Sequence, residues 1–176
     1  MNDLASDPKR LVRFVEGTAS LAHAPRVAPE ETRCLVAFGL ADELFALPVT
    51  TVREVVRVVH LTRIPQAPEH VRGVQGLRGL VLPVLEVRTR LGLPPLVITA
   101  ASRIIVVEAW NRLIGLLVDS VQRVVRLPVS LIQPPPRDIV GRLSGHVSAV
   151  ADTGWGTALV LDVDQLLLLS QLPESP

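Results

Sequence analysis

The chain has 176 residues, enough for one ordinary domain or two small lobes, and its 48% hydrophobic content can fill a core. A net charge of +1 and 3% aromatic residues supply neither the charge nor the stacking platforms that nucleic-acid binding uses, so no nucleic-acid partner is expected. Mean hydropathy is +0.40, but the longest uncharged run, residues 91–102, falls short of the ~20 residues of a spanning helix. Direct membrane insertion is therefore not expected. The N-terminus, Met1-Asn-Asp-Leu-Ala-Ser-Asp, carries acids where a secretory signal carries bases, and a cytoplasmic location is expected.

Residues 1–32 read as an N-terminal tail and linker. Leu11, Phe14 and Val15 at helical spacing allow a short amphipathic helix, and Ala24-Pro-Arg-Val-Ala-Pro is extended. The pattern then becomes β. Residues 34–40, a polar connection at Ala41-Asp-Glu, and Leu44-Phe-Ala-Leu resemble a hairpin ended by Pro48. Cys34 has no partner for an internal disulfide and reads as a buried, inert thiol. Residues 49–59 read as a helical turn passing into a strand, with Val52 and Val55 on one face and Arg53 and Arg57 on another. Glu54, between valines, either points to solvent or finds a cation.

Pro65 and Pro68 open a stiff, non-helical approach to a glycine-rich bend, Gly73, Gly76 and Gly79, with Arg78 inside it. Leu80-Val-Leu-Pro-Val-Leu-Glu-Val follows as a buried strand, and Pro83 suits an edge or a bulge. The glycine spacing is not that of a dinucleotide loop, which also leads into a helix rather than a strand. Farther on, Arg103-Ile-Ile-Val-Val-Glu is a buried strand with its hairpin turn at Trp110-Asn111. Residues 113–127 form a long strand that bends at Asp119-Ser120, and Pro134-Pro-Pro forces a surface crossing. His146-Val-Ser-Ala-Val and Thr157-Ala-Leu-Val-Leu form a last hairpin, and Asp164 is placed to cap a closing helix over residues 165–170. Many short strands with glycine and proline at their turns argue for an all-β barrel or sandwich. No internal repeat stands out strongly enough to support pseudo-symmetry.

Several of these blocks carry a resemblance: Arg63, Pro65, Pro68, Gly73-Val74, Leu77-Arg78-Gly79, Pro83-Val84 and Glu86-x-Arg88, with Phe45-Ala-Leu-Pro-Val before them. Arg103-Ile-Ile-Val-Val-Glu, Ile114-Gly-Leu-Leu-Val-Asp, Ile132-Gln-Pro-Pro-Pro and Ala158-Leu-Val-Leu-Asp follow. In content and order they resemble the CheW-like coupling proteins of bacterial chemotaxis, over roughly residues 33 to 170. The chain departs from the pattern at Gly76, where Asn is usual, and at Glu86, where Asp or Asn is usual.

The resemblance implies two small SH3-like five-stranded barrels packed together over residues 33–172, with short helical turns and a short C-terminal helix. It implies a non-catalytic adaptor that couples methyl-accepting chemoreceptors to the regulatory domain of a CheA-like histidine kinase, in the cytoplasm and recruited to membrane-associated receptor arrays. It points to Val52, Glu54, Val55, Gly73, Leu77 and Arg78 as partner-binding residues, with Glu54 near Arg78, and to no cofactor.

The residues themselves offer little chemistry. His23, His60, His70 and His146 are scattered, read as surface residues, and have no second ligand at metal spacing. Gly141-Arg-Leu-Ser-Gly is out of register for a nucleophile elbow. Asp152-Thr153-Gly154 is half of an aspartic-protease pair, which a homodimer would have to complete, but Trp155 stands where those proteases have a small residue. A hairpin turn accounts for the triplet without chemistry. No catalytic, cofactor or metal residue is therefore assigned.

Overall fold

The computed structural model describes residues 30–143 and 145–168. The tail expected over residues 1–32 lies outside them, except for Glu30, Glu31 and Thr32. Among the described residues, strands dominate. They are β1 (Thr32–Leu40), β2 (Glu43–Pro48), β3 (Val52–Arg57), β4 (Val71–Leu77), β5 (Leu80–Glu86), β6 (Arg103–Ala109), β7 (Arg112–Val118), β8 (Ser120–Pro128), β9 (Ile132–Gln133), β10 (Val147–Asp152) and β11 (Thr157–Leu161). Helical turns α1 (Val87–Arg90), α2 (Arg137–Arg142) and α3 (Val163–Leu167) join them. No helix among these is long and apolar enough to cross a membrane.

The strands make two sheets, β8-β1-β2-β11-β10-β9 and β3-β6-β7-β5-β4. The expected all-β, two-lobed architecture is present, with Ile132–Gln133 adding a sixth strand to one sheet. Many strands are buried on both faces, which explains their nearly unbroken apolar runs. Successive side chains point to opposite faces. Ile104 and Val106 therefore enter one lobe with Leu82, Val84 and Leu117, while Ile105 and Val107 face the centre. Leu35, Ala46, Val125 and Val160 fill the other lobe. Between the sheets, Phe38, Phe45, Leu85, Leu116, Leu161 and Leu167 share the largest core. The lobes thus close on each other through a common interior.

The sheets are also built alike. In each, an antiparallel hairpin (β1-β2, β6-β7) carries an antiparallel strand on one side (β8, β3), and a second hairpin joins parallel on the other (β11 on β2, β5 on β7). β3 follows β2 in the chain but pairs with β6, and β8 follows β7 but pairs with β1, so the halves interlock. A repeat in sequence accompanies this. His70-Val71-x-x-Val74 matches His146-Val147-x-x-Val150, and Val84-Leu85-Glu86-Val87 matches Val160-Leu161-Asp162-Val163, all at one offset. The registers agree: Val71↔Leu85 and Gly73↔Val84 flank a bulge, as do Val147↔Leu161 and Ala149↔Val160. Glu86 N–H donates to the His70 carbonyl at 2.8 Å, and Asp162 N–H to the His146 carbonyl at 2.9 Å. The repeat escapes a sequence reading because its matches are few and scattered.

Several local expectations change. Val55 shares the outward face of β3 with Arg53 and Arg57, while Val52 and Glu54 are half-buried, because the segment is a strand of period two and helical spacing does not apply. Gly73 and Gly76 lie within β4 rather than in a bend, and the turn itself is Arg78-Gly79. Pro83 sits in an internal strand, but β5 pairs with β7 only from Val84 onward, so the missing N–H breaks no ladder bond there. Cys34 is half-buried. After the three prolines the chain forms α2, with Asp138 in its first turn. Asp162, not Asp164, caps the closing helix by accepting from Gln165 N–H at 3.1 Å, and that helix spans Val163–Leu167. His146 is buried and His70 half-buried, contrary to a surface placement.

Candidate partner-binding site

The Arg78 turn is held by a seam that closes one barrel. Past β3 the chain comes back against β4, where Thr62 and Val74 exchange two backbone hydrogen bonds of 2.9 and 2.8 Å. The buried Gln75 amide extends the seam, donating to the Arg57 carbonyl at 3.1 Å and accepting from Val59 N–H at 3.0 Å. Gly73 makes this approach possible. At φ +145° an added Cβ would land on the Thr62 carbonyl, within 2.9 Å of its carbon. Gly73 is therefore a closure residue of the barrel, and it is buried.

At the end of the seam the chain reverses through Arg78 and Gly79, at φ 50° and 82°, between the paired Leu77 and Leu80. Two left-handed residues make a type I′ hairpin turn, which suits the strand twist but is costly for any residue with a Cβ except Asn or Asp. Arg78 Nη2 donates to Glu54 Oε2 at 2.8 Å, with the arginine side chain 78% exposed and the glutamate 28%. The acid thus anchors the guanidinium by one corner, and its other N–H donors face solvent.

Beside the turn, Leu80 and Val81 are 61% and 67% exposed. Val81 pairs with Gly76, around whose α-carbon nothing lies within Cβ contact. The apolar run of residues 80–87 is therefore buried only from Leu82 onward, and its start is an exposed patch next to Arg78. Sequence reasoning missed these two residues. Their signal was position, since a strand leaving a two-residue turn has few neighbours at its first residues.

The six residues expected to bind partners divide accordingly. Glu54 and Arg78 are ion-paired, and Leu77 packs half-buried against the barrel interior next to Arg78. Val55 is exposed on the opposite face of β3 from Glu54. Val52 packs against the central core, and Gly73 is enclosed.

The acid-x-Arg pair serves the frame. Glu86, 1% exposed, accepts from Arg72 Nη1 at 2.8 Å and from Leu96 N–H, so a buried carboxylate is neutralised and tied to the incoming loop. Arg88 points the other way and pairs with Asp119, which also accepts from Ala41 N–H at 2.8 Å. The hydrogen bond that Arg88 donates to Asp119 raises the Arg88 pKa further. That pairing turns the break between β7 and β8 into a clamp on the β1-β2 hairpin.

Asp152-Thr153-Gly154 closes the β10-β11 hairpin. Asp152 Oδ1 accepts from Gly154 N–H at 2.9 Å, and both the Thr153 hydroxyl and its N–H donate to the Gly156 carbonyl, at 2.6 and 3.0 Å. The triplet is spent on a turn. Among the described residues no group of three metal-ligating side chains forms a candidate metal site.

The CheW-like domain family model matches residues 35–171. A probable chemotaxis protein CheW of Rhizobium etli is 34% identical over 116 residues, covering 66% of this chain and 75% of that protein. The chemotaxis protein CheW of Treponema pallidum is 26% identical over 152 residues, 84% of this chain and 89% of that one. Among solved structures, the scaffolding protein CheW of Thermoanaerobacter tengcongensis superposes with a TM-score of 0.73 at 31% identity, covering 82% of this chain and 97% of its own. These comparisons give the protease reading no support. With its blocks in order, its two sheets and its relatives agreeing, the chain belongs to the CheW-like family and is a non-catalytic adaptor of chemotaxis-type signal transduction.

Proposed function

We propose that this adaptor couples the cytoplasmic tip of a methyl-accepting chemoreceptor to the regulatory domain of a CheA-like histidine kinase. It acts in the cytoplasm, beneath membrane-associated receptor arrays, with residues 33–172 as the coupling domain and residues 1–32 as a tail. The Arg78 turn meets the receptor. The observation that carries this reading is an exposed guanidinium, anchored by Glu54, beside the exposed Leu80 and Val81. A cation with free donors next to an apolar patch is the usual make-up of an interface hot spot, and its fork suits a partner carboxylate.

Arginine at the centre of an interface commonly contributes about 2 kcal/mol, roughly thirtyfold in affinity. Arg78→Ala should weaken co-sedimentation with a receptor cytoplasmic fragment by that factor, while kinase-domain binding and the melting curve stay near wild type. Unchanged receptor affinity would place the receptor surface elsewhere.

A further inference from the structure

The turn at Arg78 has a neighbour built in the same way. In the order β6-β7-β5-β4 the hairpins β4-β5 and β6-β7 lie side by side. Because β5 and β7 run parallel, both hairpins turn at the same edge of the sheet, one through Arg78-Gly79 and the other through Trp110-Asn111. Trp110 and Asn111 stand at φ 48° and 62° between the paired Ala109 and Arg112, which makes a second type I′ turn. β5 and β7 begin to pair at Val84 and Gly115, so ahead of that point no ladder joins the two tips. The exposed Leu80 and Val81 open that stretch of β5, and counting back along the register brings Val81 level with Arg112.

The fold does not explain the residue at the second tip. A left-handed first position suits Asn or Gly, because a Cβ there meets the following carbonyl, and a bulky side chain in it is a genuine outlier. Trp110 is also 56% exposed. It therefore strains its own turn and leaves indole surface in water. Other aromatic side chains are engaged: Phe38 stacks on Phe45 in the core, and Trp155 lies under Arg123. Among the described residues Trp110 has no ring contact and its side chain no hydrogen bond. Beside it Glu108 is taken by Arg53, whereas the exposed Arg112 holds no acid among the described residues.

We propose, resting on the receptor reading above, that Trp110 is the apolar anchor of the receptor surface that begins at Arg78. That surface takes a segment of the receptor tip with an apolar ridge edged by carboxylates. The ridge meets Trp110, Leu80 and Val81, and the carboxylates meet the guanidiniums of Arg78 and Arg112. Tryptophan and arginine are the residues most enriched at interface hot spots. An indole brings a large contact area with only two side-chain torsions to fix, so little entropy is lost on binding. Strain of this kind persists where a contact retains it.

The test uses the full chain carrying Trp155→Phe, which leaves Trp110 as its one tryptophan. A tryptophan-free receptor cytoplasmic fragment should shift the Trp110 emission to shorter wavelength and shield it from acrylamide. A tryptophan-free kinase regulatory domain should do neither. In the natural background, Trp110→Asn should lower receptor affinity by about thirtyfold. It should also raise the melting temperature by about 2 °C, because Asn suits the turn.

Unmoved Trp110 emission at saturating receptor would overturn the proposal, even if Trp110→Asn failed to fold. So would an emission shift given by the kinase domain and not by the receptor. Arg78→Ala tells the two readings apart. A loss of receptor binding there, with Trp110→Asn at natural affinity, would keep the receptor surface and remove Trp110 from it. Natural affinity in both variants would remove the receptor from this edge of the sheet altogether.

Discussion

Residues 70–90 and residues 146–167 follow one plan: a histidine, a bulged strand, a tight turn, a return strand and a short helical turn. Both frames carry the bulge at the same register, and in both the amide of the residue before the helical turn donates to the histidine carbonyl. The tips do not match. In the first repeat the tip is an exposed arginine held by Glu54. In the second it is an Asp-Thr-Gly turn whose Trp155 lies under Arg123, 4.6 Å from the guanidinium carbon to the ring centroid. A repeated frame with divergent tips separates the residues that hold the fold from those that the fold leaves free to vary.

The frames also differ in how each cap acid is used. Glu86 is enclosed and paired with Arg72, whereas Asp162 is half-buried and caps a helix. Removing one partner of a buried pair strands the other and frees the Leu96 amide, so Glu86→Ala should cost about 3 kcal/mol or more. Asp162→Ala should cost about 1 kcal/mol, the usual loss for an N-cap. Urea unfolding of the two variants measures the gap. Equal losses would mean that the buried pair contributes no more than a cap.

The bulge gives a second contrast. Gly73 and Ala149 hold the same register position, yet only in the first repeat does a carbonyl, that of Thr62, crowd the α-carbon. In the second, β9 meets β10 at Gln133↔Val150, as Thr62 meets Val74, and a methyl group fits. Gly73→Ala should therefore cost about 2–3 kcal/mol, through overpacking and a backbone angle hostile to Cβ. Ala149→Gly should cost about 1 kcal/mol or less. If Gly73→Ala unfolded no earlier in urea than Ala149→Gly, the seam would be looser than its hydrogen bonds imply.

These contrasts also show what could be read from the chain. The strands were legible because β-branched runs bounded by Gly, Pro and Asn follow from local chemistry, and the break at Asp119 was legible for the same reason. The Glu54–Arg78 pair came from resemblance, since nothing in the spacing of two residues so far apart announces a contact. Val55 was misplaced by applying a helical period to a strand. Leu80 and Val81 looked buried because apolarity does not reveal which end of a run emerges at a turn. The His70 and His146 match had no local signal, because the few matching residues are scattered and become a repeat only when both histidine carbonyls are seen accepting from the matching amides.

The smallest expected change in stability belongs to the tip of the first repeat, and its sign is informative. An ion pair this exposed contributes about 0–1 kcal/mol, so Arg78→Ala and Glu54→Ala should each leave the unfolding midpoint nearly unchanged. Arg78 also sits at φ 50°, where Asn followed by Gly is the favoured pair for a type I′ turn. Arg78→Asn should therefore stabilise the fold by about 0.5 kcal/mol while removing the charge from the proposed receptor surface. Stability would rise as binding falls, the behaviour of a residue retained for recognition against the preference of its own turn. In receptor affinity, Glu54→Ala should lose less than Arg78→Ala, and the double variant should lose less than the sum, because the acid acts by orienting the arginine. Additive losses would make them two separate contacts, and a lower midpoint for Arg78→Asn would make the arginine a structural part of the seam.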